Sequence, residues 1–192
     1  MGRYEIHLTV SADASDDRLR SWAGSHDVKY TRIMLDRGDH SSQPMLSWLS
    51  DGTPATAEAD ARQTAATLRS EGFPVTRLKV EAAAVEAATR PGLYFEHHVK
   101  LLLPAGADLD GVRDVALRHD ARLSRNARRS RPDGVQERFV TQRCRGVELP
   151  IAQARLSALV TALTEADWEI AEVEEEWVLI DDNPGLDSGW FA

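Results

Sequence analysis

The chain has 192 residues, of which 42% are apolar and 28% are charged, a balance typical of a globular protein with one domain or two small ones. Its single cysteine, Cys144, excludes an intramolecular disulfide and a thiolate zinc cluster. No apolar run reaches the roughly 18 residues that a membrane-spanning helix requires, and no leader pattern precedes the first strand, so we expect a cytoplasmic protein without a membrane partner. The net charge of −8 argues against general nucleic-acid coating.

The first half of the chain alternates strand and helix patterns. Ser15 is predicted to cap a short helix, and Thr53 followed by Pro54 predicts the start of a second helix that ends before Gly72. Alternation of apolar and polar residues predicts strands in this half at residues 4–10, 28–35, 44–49 and 73–81.

The second half repeats the order of the first. The segments that begin at Glu5 and Glu96 both have a histidine two residues later, followed by an aliphatic residue, any residue and a second aliphatic residue. The alternative is that two unrelated strands share this short pattern. In this half, strands are predicted at 94–103, 121–128, 135–144 and 168–180, and helices at 109–119 and 150–166.

The resulting order, βαββαβ twice, is that of the ferredoxin-like split βαβ unit, in which both helices cover one face of a four-stranded antiparallel sheet. We therefore predict an α+β fold of two tandem duplicated ferredoxin-like halves, residues 1–91 and 92–192, whose antiparallel sheets surround a polar cleft. The second half adds an arginine-rich hairpin and a C-terminal tail folded back on the domain. Exposed strand edges of such sheets often pair, which makes a homodimer an option.

The bare faces of the two predicted sheets are polar. Period-two alternation places His7 and His98 on these faces, and it places His97 on the core side as a structural histidine. Because removing charged groups from water costs free energy, these faces should remain exposed to solvent or line the cleft. The closing strands add Arg77, Lys79, Glu81, Glu172, Glu174 and Glu176 to them.

His7 and His98 are the candidate catalytic residues, one as base and one as acid, because related strands would bring them together across the cleft. The sequence His7-Leu8-Thr9-Val10 resembles the motif of the two-histidine (2H) phosphoesterases, duplicated proteins that hydrolyse or close cyclic phosphodiesters. The second copy, His98-Val99-Lys100-Leu101, departs from that motif because Lys100 replaces the hydroxyl residue. This resemblance implies phosphodiester hydrolysis in the cleft.

Arginines are concentrated in the second half, where residues 113–145 contain ten arginines and four acidic residues. Guanidinium forks suit bidentate binding of phosphate. A solvated loop, or one paired with the acidic strand at 172–176, is the alternative. The residues predicted to bind a ligand are Thr9, Lys100, Arg77, Lys79, Arg125, Arg138 and Arg143.

Binding of a small phosphate-bearing or anionic ligand, such as a nucleotide, is thus the predicted function, and nucleic acid is a weaker candidate because few aromatic residues accompany the arginines. A noncatalytic binding or interaction module with structural histidines is the alternative. No cofactor is predicted. A divalent metal is a further option at Glu5, His7, Glu96 and His98, although their spacing matches no strong metal motif.

Overall fold

The computed structural model describes residues 2–88, 92–127 and 133–191. It contains eight strands and four α-helices in the order βαββαβ, repeated once. No helix among the described residues has the length and apolar character needed to cross a membrane. The elements of the first half are β1 (Gly2–Val10), α1 (Asp16–Ser25), β2 (Lys29–Leu35), β3 (Ser42–Gly52), α2 (Pro54–Ser70) and β4 (Val75–Ala83). Those of the second half are β5 (Tyr94–Leu103), α3 (Leu109–Arg118), β6 (Ala121–Asn126), β7 (Gln136–Arg145), α4 (Leu149–Glu165) and β8 (Glu169–Asp181).

Local signals in the sequence set the ends of the helices. The Ser15 side chain accepts from a backbone N–H of the first turn of α1, and Thr53 forms a reciprocal capping box with Thr56 at the start of α2. Each helix is followed by a residue with positive φ, the backbone conformation that ends many helices. These residues are Asp27, Gly72, Asp120 and Asp167.

The eight strands form one closed antiparallel barrel with the strand order β1-β3-β2-β6-β7-β5-β8-β4. Within each half the four strands are contiguous, and the halves join edge to edge along two seams, β2 with β6 and β4 with β8. The predicted fold of two open sheets around a cleft is therefore wrong. The physical reason is that each open sheet would leave two unpaired strand edges, whereas closure pairs them all.

The apolar cores lie outside the barrel wall, between the strands and the helices. One core packs Ile6, Leu8 and Val80 against α1 and α2, and a second packs Val99, Leu101 and Val140 against α3 and α4. Because side chains alternate across each strand, the opposite, polar faces of all these strands point into the barrel. Most of the residues that the sequence placed on bare sheet faces thus line the barrel interior, whereas Glu172 does not.

Residues 182–191 fold back across one end of the barrel, as predicted for the C-terminal tail. Trp190 is buried, and its indole N–H donates to Asp36 and to the carbonyl of Leu123. The tail reaches the β2–β3 turn closely enough that Gly38 and Gly189, both with positive φ, are in near contact. This end of the barrel is plugged by the protein's own chain.

Candidate functional site

The barrel encloses a cavity of about 230 Å³ to which all eight strands contribute side chains. Its two walls differ in chemistry. The strands β2, β3, β6 and β7 supply apolar groups that include Ile33, Met45 and Phe139, whereas β1, β4, β5 and β8 supply mostly charged groups. A ligand held here would meet charge on one side and an apolar surface on the other.

His7 and His98 occupy equivalent positions in this cavity. On β1, the Nδ1 atom of His7 lies 2.8 Å from the hydroxyl of Ser47, its partner in register on β3. On β5, the Nδ1 atom of His98 lies 3.0 Å from the hydroxyl of Thr141, its partner in register on β7. The two halves therefore present the same pair, an imidazole held by a cross-strand hydroxyl.

A chain of alternating charges connects the two imidazoles. The Nε2 atom of His7 lies 2.7 Å from a carboxylate oxygen of Glu81. Lys79 bridges Glu81 and Glu96, with its Nζ atom 2.5 Å from Glu96. Glu96 in turn lies 3.3 Å from Nε2 of His98. The predicted catalytic histidines thus belong to one buried network.

One carboxylate also faces both histidines directly. A Glu176 oxygen lies 3.3 Å from Nε2 of His98, and Glu176, Glu5 and His7 bring potential ligand atoms within 4.8 Å of one another. The structure therefore brings both predicted catalytic residues to a shared position, as the strand register required.

The neighbouring carboxylates favour the protonated form of both histidines. Burial disfavours the charge on His98, but hydrogen bonds with Glu176 and Glu96 outweigh burial and raise its pKa to about 10. Burial also opposes the charge on His7, and the neighbouring Glu81 raises its pKa nonetheless. Near neutral pH His98 is therefore protonated and can donate a proton or a hydrogen bond, but it is not the free base of the predicted acid–base pair.

The pKa values of the carboxylates in the network are shifted in opposite directions. Burial would raise the pKa of Glu81 and Glu96, but Lys79 beside both, with His7 and Arg143, holds each pKa well below its usual range. For Glu176, burial and the charge of Glu81 raise the pKa, which favours its neutral form more than that of an ordinary glutamate.

Three of the predicted ligand-binding cations lie deep in the interior and are already paired. Arg77 contacts Asp181 and Asp187, at 2.7 and 2.8 Å. Arg143 contacts Glu96 and lies 2.7 Å from Asp187, while Lys79 bridges the two glutamates described above. All three side chains expose less than a tenth of their surface, so their first role is to balance buried charge.

The other four predicted ligand-binding residues are spread out. Thr9 lines the cavity and is buried. Lys100 lies further along β5, within 4.0 Å of Glu137 and Glu172, outside the set that lines the cavity. Arg125 lines the cavity but is exposed, and Arg138 is half-buried against Gln136 away from it. The hairpin arginines Arg128, Arg129 and Arg131 lie outside the described residues.

The predicted metal set and the observed cluster overlap only in part. Glu96 and His98, predicted with Glu5 and His7, are engaged by Lys79, Arg143 and Glu176. In the part of the chain that the structure describes, the candidate metal group is instead Glu5, His7 and Glu176. His97, predicted as a structural residue, is fully buried on the core side and pairs with Gln142.

Sequence reasoning missed the central role of Asp187. Its carboxylate is buried at the plugged end and accepts from Gln43 at 3.0 Å as well as from Arg77 and Arg143. Ser47 and Thr141 were missed too, although a signal existed. In the strand order of each predicted half, the third strand lies beside the first, which brings its hydroxyl residues next to each histidine.

No protein-family model matches the chain, and no curated protein matches it. Two solved structures align over most of its length. The small subunit of acetolactate synthase from Thermotoga maritima has 9% identity and a TM-score of 0.33, with 94% of this chain and 96% of that one covered. A chlorite dismutase mutant from Candidatus Nitrospira defluvii has 12% identity and a TM-score of 0.30, with 97% and 92% covered. Scores of this size establish no shared fold or site.

Proposed function

We propose that the barrel interior binds a small phosphate-bearing or otherwise anionic ligand. The observation that carries this proposal is His98, a cavity-lining histidine whose raised pKa of about 10 keeps it protonated near neutral pH. Five lysines or arginines and two histidines line the cavity with six carboxylates, one of which, Glu176, has a raised pKa that favours its neutral form. The cations are Lys29, Arg77, Lys79, Arg125, Arg143, His7 and His98, and the acids are Glu5, Glu81, Glu96, Glu174, Glu176 and Asp187. Asp181, outside the lining, also pairs with Arg77.

His98 is the cation that such a ligand would contact. A quarter of its side chain is exposed, against less than a tenth for Lys79, Arg77 and Arg143. Its Nε2 atom lies 3.3 Å from Glu96 and 3.3 Å from Glu176, whereas Nε2 of His7 lies 2.7 Å from Glu81. The longer contacts of His98 are easier to exchange for a contact with a phosphate oxygen. The buried cations behind it supply a favourable field without contact.

The size and walls of the cavity narrow the ligand class. A volume of about 230 Å³ lies below the range of about 300–1,000 Å³ typical of drug-sized ligands, so a compact ligand fits best. Ile33, Met45 and Phe139 form an apolar surface opposite the charges. A small phosphate ester matches the chemistry of both walls. Its anionic group would face His98, and its organic part would face these apolar side chains.

Binding is better supported than hydrolysis. Phosphodiester cleavage of the 2H type needs one imidazole as base, whereas the carboxylates keep His98 protonated and raise the pKa of His7. Lys100 also occupies the position where the 2H motif has its hydroxyl residue, although Thr141 supplies a hydroxyl to His98 from the adjacent strand. We therefore expect a bound phosphodiester to be turned over slowly at neutral pH.

Calorimetric titration with inorganic phosphate and with 2′,3′-cyclic AMP tests the proposal. His98→Gln removes the most exposed cation of the network that joins His7 to His98, and we expect it to weaken binding about tenfold, the effect of one charge-assisted hydrogen bond. His40→Gln is the matched control, because His40 is a histidine outside the cavity lining. Equal affinities in wild type and His98→Gln, or no binding by the wild type, would refute the proposal and favour an interaction module with structural histidines.

A divalent cation is a second candidate, favoured by the cluster of Glu5, His7 and Glu176. At pH 6, below the ordinary pKa of histidine, His7 with its raised pKa is mainly protonated, so metal binding through its imidazole must release a proton to solution. Titration of Mn²⁺ in two buffers with different ionisation enthalpies measures that release. We expect Glu5→Gln to abolish both heat and proton release. Binding without proton release would show that His7 is not a ligand.

A further inference from the structure

A second pocket lies outside the barrel interior, at the plugged end. Its volume is about 410 Å³, and the C-terminal segment forms one side of it through Pro184, Ser188 and Phe191. Four arginines line it, Arg122, Arg143, Arg145 and Arg155, together with only two acids, Asp120 and Asp187. We call this set the outer arginine pocket.

The positive charge of the outer arginine pocket is only partly balanced by its two carboxylates. Asp187 is already shared by Arg77 and Arg143. Within residues 2–88, 92–127 and 133–191, no carboxylate forms an ion pair with Arg122, Arg145 or Arg155. This contrasts with the barrel interior, where each deep cation has one or two carboxylate partners.

The three unpaired guanidinium groups are held in place by other contacts. Arg122 donates from Nε to the carbonyl of Trp190 at 2.6 Å and from Nη1 to the carbonyl of Ala121 at 2.9 Å. Arg145 stacks 4.1 Å from the centre of the Tyr94 ring. Arg155 interacts with the thiol of Cys144. These contacts fix the side chains without neutralising them.

Opposing influences act on Arg122. Burial and, after it, the nearby charge of Arg37 lower the pKa of its guanidinium, and the charges of Asp120 and Asp36 offset only part of this effect. Like charges held together at a partly buried position cost stability, and a bound anion removes that cost. Guanidinium forks bind phosphate oxygens bidentately and more tightly than they bind water.

We propose that the outer arginine pocket binds a phosphate-bearing anion through Arg122, Arg145 and Arg155. The pocket is larger than the barrel cavity and holds three unpaired cations, so it suits a ligand with two or three linked phosphate groups. Neither His7 nor His98 lines this site, although Arg143 and Asp187 line both pockets.

Calorimetric titration with inorganic triphosphate tests the site. The double variant Arg145→Gln and Arg155→Gln removes two exposed cations without touching the contacts of Arg122. We expect a dissociation constant at least about tenfold higher than for the wild type, as for the loss of charge-assisted hydrogen bonds. Affinity in the wild type should also fall as NaCl concentration rises.

Two controls locate the binding. The double variant Arg20→Gln and Arg62→Gln changes the net charge equally on the exposed helices α1 and α2, and His98→Gln alters only the barrel interior. Both should bind triphosphate as the wild type does. The proposal is overturned if the pocket variant binds like wild type, if the charge control loses as much affinity, if His98→Gln abolishes binding, or if the wild type shows no binding at about 1 mM triphosphate.

Discussion

Replacement of His98 by glutamine gives a direct measure of the interior charge network. Glutamine is close in size and keeps one N–H donor, but it cannot carry the charge that Glu96 and Glu176 stabilise. The pKa of His98 rises from 6.5 to about 10 on folding. The stabilisation from its protonation is therefore fully present below pH 6.5, and it is lost as the pH rises through 10.

The size of the effect follows from this shift. At about 1.4 kcal/mol for each pKa unit, the rise in the pKa of His98 corresponds to about 5 kcal/mol of unfolding free energy at pH 6. The glutamine N–H recovers part of this by donating to one carboxylate, so we expect His98→Gln to lose about 3–4 kcal/mol at pH 6. For a chain of this length each kcal/mol is worth about 2–4 °C in Tm.

Urea unfolding of wild type and His98→Gln, followed by far-UV circular dichroism at pH 6, 8 and 10.5, provides the assay. Other groups titrate in both proteins, so the difference between them isolates His98, and His40→Gln serves as the control for loss of an ordinary imidazole. The difference should shrink toward zero at pH 10.5. A difference that stays constant or grows with pH would refute a charged His98 in the folded protein.

Three further predictions concern other parts of the molecule. Asp187→Asn leaves two buried guanidinium groups short of a carboxylate, so unfolding free energy should fall by about 3–5 kcal/mol in urea titrations and residues 182–191 should become susceptible to limited proteolysis. Gly38→Ala places a Cβ at positive φ 3.0 Å from a backbone oxygen of the tail and should destabilise by about 1–3 kcal/mol, whereas Gly24→Ala, in open space on α1, should raise Tm slightly. Ser47→Ala and Thr141→Val should each cost about 1 kcal/mol, and nearly equal amounts, because both remove the hydroxyl partner of an equivalent imidazole.

Opposite results would contradict the corresponding interpretation. A tail that remains resistant to protease in Asp187→Asn would show that Trp190 alone anchors it. A Gly38→Ala variant as stable as wild type would show that the tail does not press on the β2–β3 turn. Markedly unequal costs for Ser47→Ala and Thr141→Val would show that the two histidines differ in environment despite their equivalent positions.

The sequence predicted local structure well because the signals are local. Capping by Ser15 and Thr53, the period-two alternation in β1 and β5, and the inward direction of His7 and His98 all depend on neighbouring residues. The strand β3 extends beyond the predicted 44–49 at both ends, to Ser42–Gly52, because pairing with β1 and β2 recruits flanking polar residues that have weak strand preference.

Closure of the barrel could not be predicted in the same way. The seams join strands far apart in sequence, such as Ile33 with Asn126 and Val80 with Ile180, and nothing in the local pattern distinguishes a seam from a free edge. For the same reason, the local pattern could not predict the partners of Arg77 and Arg143, which are distant in sequence. Both cations were predicted to bind a ligand, but their distant partner Asp187 already occupies them.

The two seams also make the halves mutually dependent. Removing either four-stranded sheet would expose an unpaired edge at β2 or β6 and another at β4 or β8. The chamber around His7 and His98 exists only when both seams have formed, so a molecule seated there favours the fully assembled state over any half-formed intermediate. Ligand binding in the interior and the free energy of unfolding of the complete barrel are consequently coupled in this protein.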